Sequence, residues 1–135
     1  MRLFLAFPGL LALATPAHAQ DYIAFQSPTG NIHCMIWADD HPGARCDMKE
    51  LTPSYRRPPA NCDLDWGSSF SVEARGPGIL TCHGDTVIDP RAPVLGYGQS
   101  VTLGPVSCSS EKTGMTCTNP QGHGFTVSKA RQKLF

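Results

Sequence analysis

The sequence has no excess charge of either sign. Its 135 residues carry 11 Lys plus Arg against 11 Asp plus Glu. That balance excludes a protein held to nucleic acid or to an anionic membrane chiefly by charge. Charge is also scarce, at 16% of residues against 41% hydrophobic, which excludes a disordered chain. No apolar run is long enough to span a bilayer. The longest, Leu3 to Ala14, is broken by Pro8-Gly9 and falls short of the roughly 20 residues a span needs. No cysteine pair has the C-x2-C spacing of a structural zinc site. No G-x-S-x-G elbow presents a nucleophilic serine. Long uninterrupted helix-forming stretches are scarce too, because 13 Gly and 12 Pro are spread through the chain and both interrupt helices.

What is present begins with an address. Met1-Arg2 is a positive start, an apolar stretch follows, and Ala17-His18-Ala19 has the small-x-small form that signal peptidase accepts. The expectation is a signal peptide over residues 1–19, cleaved after Ala19, and a secreted or periplasmic product with no membrane span. The mature part, residues 20–135, is expected to form a single domain. Losing Arg2 with the leader leaves its charge near zero.

Cys34, Cys46, Cys62, Cys82, Cys108 and Cys117 all lie in the mature part, and an even count in an exported chain reads as three disulfides. Gly30-Asn-Ile-His-Cys34 is followed by Gly43-Ala-Arg-Cys46, and Gly104-Pro-Val-Ser-Cys108 by Gly114-Met-Thr-Cys117. Both are G-x3-C, a turn, then G-x2-C. Each reads as a β-hairpin with a cysteine on either arm, close enough to bond. This predicts Cys34–Cys46 and Cys108–Cys117, and by elimination Cys62–Cys82.

Elsewhere, short alternating runs are separated by turn signals. Ile32, Cys34 and Ile36 alternate with His33, Met35 and Trp37. Phe70, Val72 and Ala74 alternate with Ser71, Glu73 and Arg75. Ser27-Pro-Thr-Gly30 and Asn119-Pro-Gln-Gly122 share a Pro-second, Gly-fourth turn form. Leu51 to Asn61, with three prolines, reads as an irregular surface loop. The pattern predicts an all-β fold, a single small antiparallel sandwich or barrel. Ser128 is expected to cap a short C-terminal helix to Phe135, with Ala130 and Leu134 on one side.

Ser27-Pro-Thr-Gly-Asn-Ile-His-Cys34, Cys82-His-Gly-Asp-Thr86, Tyr97-Gly98, Gly114-Met-Thr-Cys-Thr-Asn119 and Gly122-His-Gly-Phe-Thr-Val-Ser128 together carry a resemblance. The chain resembles a family of small secreted bacterial proteins of unknown function, with an SPSGNI-x-C start and an N-x2-GHGF end around paired cysteines. Thr29 stands where Ser is usual and Lys129 where Arg is common. The resemblance implies an exported, disulfide-bonded domain and brings no activity.

The candidate ligand-facing residues are His123, His83 and Asp85. His123 lies between two glycines, which let a backbone approach a ligand closely or simply shape a turn. His83 and Asp85 are two apart, so on a strand they share a face, where the carboxylate could orient the imidazole. Hydrogen bonding in a turn is the plainer explanation for both. His33, opposite Cys34, reads as exposed or at the core edge. Asp63-Leu-Asp65 begins like a calcium loop but lacks the later ligands. Arg56-Arg57 and the basic tail read as solvated surface, and Ser109-Ser110 as ordinary hairpin serines. No cofactor or metal is expected. The leading expectation is an exported, non-catalytic binding module for a protein or a cell-envelope glycan. The alternatives are a small hydrolase or metal-dependent enzyme using His123, His83 and Asp85, and a structural envelope component.

Overall fold

The computed structural model describes residues 8–13 and 21–135. The expected cleavage site after Ala19 lies outside them. The elements are all strands: β1 (Tyr22–Gln26), β2 (Ile32–Trp37), β3 (Gly43–Met48), β4 (Ser69–Glu73), β5 (Ile79–Leu80), β6 (Ser100–Leu103), β7 (Val106–Glu111), β8 (Gly114–Thr118), β9 (Gly124–Val127) and β10 (Gln132–Leu134). Within each half of the chain the strands pair antiparallel in sequence order, giving two five-stranded sheets, β1-β2-β3-β4-β5 and β6-β7-β8-β9-β10. The sheets pack face to face over one core, so of the two expected forms the molecule takes the sandwich.

The two sheets repeat one another. In the first, Phe25, Cys34, Cys46, Phe70 and Leu80 lie directly opposite in a row across five strands. In the second, Val101, Cys108, Cys117, Phe125 and Leu134 form the same row. The rows meet in the middle of the core. Cys46 Sγ lies 3.9 Å from Cys117 Sγ, and the Phe70 and Phe125 rings are 6.5 Å apart between centroids. The doubled G-x3-C, G-x2-C pattern is therefore the visible part of a doubled sheet.

All three disulfides form as the spacing predicts. Cys34–Cys46 and Cys108–Cys117 join opposed residues of their hairpins, with Cα atoms 4.1 Å apart in each. Cys62–Cys82 ties the irregular segment after β3 to the chain leaving β5, with Cα atoms 5.7 Å apart. Three disulfides indicate an oxidising environment outside the cytoplasm. No helix among the described residues is long and apolar enough to cross a membrane.

The outer face of the first sheet carries polar groups that are nonetheless buried, because residues 84–95 lie across it. His33 is only 1% exposed, a correction to its expected exposed or edge position. Its Nε2 lies 2.9 Å from the Gly30 carbonyl oxygen, and its Nδ1 accepts from the Asp89 amide at 3.2 Å. Asp47, also buried, takes both Arg45 Nε (2.8 Å) and Nη2 (2.9 Å), the Thr86 hydroxyl (3.0 Å) and the Val87 amide (3.1 Å). Burial alone would raise its pKa. Hydrogen bonds from Arg45, Ser69 and Val87, with the Arg45 charge, outweigh burial and hold the carboxyl below its usual range.

The sign of the pH dependence follows. An unfolded Asp titrates near about 3.9. The stability from Asp47 is present above that value and is lost as pH falls through the lower folded value. Asp47→Asn should cost roughly 2 kcal/mol at pH 7. It should also flatten the fall of Tm between about pH 5 and pH 2. Calorimetric scans across that range check it, and parallel curves for both proteins would exclude Asp47 as the source.

The expected C-terminal helix does not form. Gln132, Lys133 and Leu134 pair with Val127, Thr126 and Phe125 instead, as β10. Gln132 is 3% exposed, so the buried positions alternate as in a strand. Its Oε1 accepts from the Ser54 amide at 2.9 Å, its Nε2 donates to the Ser128 carbonyl at 2.9 Å, and its backbone amide donates to Ser54 Oγ at 3.0 Å. Leu134 N donates to the Tyr55 hydroxyl at 2.8 Å. The proline-rich segment thus serves as the outer partner of β10. A helix would forfeit these bonds and place Lys129 and Arg131 at its unfavourable positive end.

Candidate functional site

The glycines around His123 have backbone reasons. Gly122 sits at φ +78° and ends a turn closed by its amide on the Asn119 carbonyl at 3.0 Å. Gly124 is packed so tightly that a Cβ would overlap the Cys117 carbonyl. His123 itself is half-buried between them. Its amide donates to Asn119 Oδ1 at 3.1 Å, and its carbonyl accepts from the Asn119 amide at 2.9 Å. Asn119 is the hub here. Its Nδ2 also donates to the Glu73 and Gly76 carbonyls at 3.0 and 2.9 Å, fixing the β8–β9 turn to the β4–β5 turn of the other sheet.

His83 and Asp85 are adjacent but not paired as side chains. His83 Nδ1 lies 2.6 Å from the Asp85 backbone carbonyl. The Asp85 carboxylate receives Arg45 Nη1 at 2.8 Å, and that hydrogen bond and charge lower its pKa. The backbone of His83 pairs with Asp65, beside the Cys62–Cys82 bridge. Among the described residues no three His, Cys, Asp or Glu side chains, these included, are grouped so that they could hold a metal ion. Asp63 and Asp65 are exposed. Arg56 borders a shallow apolar recess with Leu51, Tyr55 and Trp66.

A larger cleft lies elsewhere, at one end of the sandwich, with a volume of about 780 Å³. Its walls come from both sheets: the β1–β2 turn, the chain leaving β3, the β7–β8 turn and the chain leaving β9. Ile32 and Met115 give it an apolar floor, both nearly fully buried. Lys49, Glu50, Lys112, Lys129 and Tyr97 stand at its exposed rim. None of His33, His41, His83 and His123 lines it.

Part of the wall comes from the motifs that carry the resemblance, through Ser27, Thr29 to Ile32, Tyr97, Gly114-Met115 and Ser128. The Ser27-Pro-Thr-Gly30 turn closes with the Gly30 amide on the Ser27 carbonyl at 2.9 Å, and Ser27 Oγ accepts the Ile32 amide at 3.1 Å. Asn31 clamps the rim, since its Nδ2 donates to the Glu50 carbonyl at 2.9 Å and its Oδ1 accepts the Glu50 amide at 2.8 Å. Lys129 Nζ meets Glu50 Oε2 at 3.2 Å. At the opposite end the equivalent turns touch: a Cβ at Gly104 would come within 3.1 Å of the Ala38 methyl.

The Ser27–Gly30 turn, Tyr97 and the basic tail each stand out in the sequence, but nothing local connects them. Lys49, Glu50 and Lys112 carry no local signal. They become neighbours only when the two sheets close.

No curated protein and no solved structure matches the chain. A family model described as a family of unknown function (DUF6636) matches residues 5–135. With nearly its whole length matched, the chain belongs to this family of unknown function, DUF6636.

Proposed function

We propose that the chain is an exported, non-catalytic binding module that holds a cell-envelope glycan in the end cleft. The leader-like residues 1–19 and the disulfides support export, with residues 20–135 as one domain. The carrying observation is the cleft itself. A volume of about 780 Å³ is in the range that takes a short oligomer or small ligand rather than a folded partner. An apolar floor with a polar rim is the common make-up of such sites. Turns fixed by Ser27 and Asn31 favour binding, since little order is lost when a ligand enters.

The test uses the oxidised chain and solubilised envelope glycan. Amide shifts confined to residues 27–32, 49–50, 110–115 and 128–130 are expected. Ala130→Trp, at an exposed position in the cleft wall, should abolish binding with Tm unchanged. Binding that survives this block would overturn the proposal.

A further inference from the structure

The chain contains four lysines, Lys49, Lys112, Lys129 and Lys133, and seven arginines. Three of those lysines line the cleft, and none of the arginines does. They arrive from three separate places: the chain leaving β3, the β7–β8 turn and the chain leaving β9. No local sequence cause groups them, because 63 residues separate Lys49 from Lys112.

Two carboxylates share the rim, Glu50 and Glu111. Glu50 is engaged by Lys129 at 3.2 Å. Among the described residues Lys49 and Lys112 make no ion pair within 4.0 Å, so two unpaired lysines line the cleft, with Glu111 as the remaining anion. Tyr97, 43% exposed, offers an aromatic face at the same rim. Thr113 adds a hydroxyl, while those of Thr29 and Ser128 already hold their own turns.

From this arrangement we infer that the cleft takes an acidic glycan, in which sugar units carry carboxylates; the inference rests on the binding reading above. Aromatic faces pack against the apolar faces of sugars, hydroxyls meet hydroxyls, and flexible lysines reach carboxylates as point charges. Glu50 and Glu111 set the limit. They disfavour a dense polyanion such as nucleic acid, whose phosphates would meet them as well as the lysines.

Three probes titrated into the full oxidised chain test it: tetragalacturonate, a disaccharide bearing a muramyl tetrapeptide, and neutral chitotetraose. Both acids are expected to bind in the cleft at least about tenfold more tightly than chitotetraose, more weakly as salt rises. The stronger of the two tells whether the carboxylate sits on the sugar ring or on an attached peptide. The double variant Lys49→Gln/Lys112→Gln should weaken the acids about tenfold. It should leave Tm unchanged and weaken chitotetraose far less, about twofold at most. Equal binding of chitotetraose, unaffected by that variant, overturns the acidic preference and leaves the cleft as a glycan site. Silence of the cleft residues toward all three probes also overturns it, while the Ala130→Trp block decides the cleft reading separately.

Discussion

Dithiothreitol added to the folded, oxidised chain is expected to open Cys62–Cys82 and leave the other two disulfides intact. Exchange requires a thiolate to reach a sulfur. Cys82 is exposed and Cys62 half-buried, whereas Cys34, Cys46, Cys108 and Cys117 are each at most 1% exposed. These four face one another between the sheets and become accessible only when the sandwich opens. For a domain stable by ~5 kcal/mol or more, that open state is populated about once in 10⁴ molecules, so the core bridges should reduce about four orders of magnitude more slowly. Timed alkylation with non-reducing peptide mapping reads the order directly. Equal rates for all three would mean that the sheets part far more easily than their packing implies. Reduction in denaturant should go further. The three bridges span 12, 20 and 9 residues in sequence, and each is worth about 2–4 kcal/mol. Their sum is of the order of a domain's whole stability. After denaturant is removed, the fully reduced chain should remain unfolded by circular dichroism.

Gly124→Ala should be the most damaging single substitution of a small residue, costing about 4 kcal/mol or more. A methyl there would overlap the Cys117 carbonyl and press on Thr118 Cα at 3.0 Å. The Gly124 carbonyl in turn abuts Gly78, where a Cβ would overlap it. All these neighbours are main chain, held by β8–β9 pairing and by the exchange of hydrogen bonds between Gly124 and Phe135 at 2.8 and 3.0 Å. None can move without breaking a sheet. Gly122→Ala is the control two residues away. Its Cβ would meet open space, and only its φ of +78° opposes it, a cost of about 1 kcal/mol. Thermal melts of the two variants should therefore differ widely. A tolerated Gly124→Ala would remove the close-packing account of the GHG segment and reopen a ligand-facing role for its backbone.

The parts of the fold legible in the sequence were those encoded locally. The hairpins announce themselves through glycines at fixed offsets from cysteines, and Phe70–Val72 through clean alternation. Ala130 and Leu134 satisfy the spacing of a C-terminal helix, and only the basic charge near its start opposes one locally. Contacts from Ser54 and Tyr55, some 78 residues away, decide for a strand. His33 looked peripheral because nothing local says that residues 84–95 will fold over it. The cleft is the extreme case. Its turn at Ser27–Gly30 could be read, but its charged rim joins Lys49, Lys112 and Lys129 across both sheets. The residues that looked most chemical, His83, Asp85 and His123, have backbone and ion-pair duties that sequence spacing cannot distinguish from a ligand site.

The repeat of the two sheets has a covalent counterpart. Cys34–Cys46 and Cys62–Cys82 lie wholly before residue 83, and Cys108–Cys117 wholly after residue 107. No covalent bond but the main chain joins the halves. A single protease nick in the exposed stretch near Val94 would leave two fragments with no bond between them, each with its staples intact. Those fragments would cohere through the shared core, with Phe70 against Phe125, and through the hydrogen bonds that cross between the sheets, such as Asn119 to Glu73 and Ser54 to Gln132. The molecule is in that sense a tethered heterodimer of two near-copies. Its halves, expressed separately, are natural candidates for a split protein that reassembles when both are present.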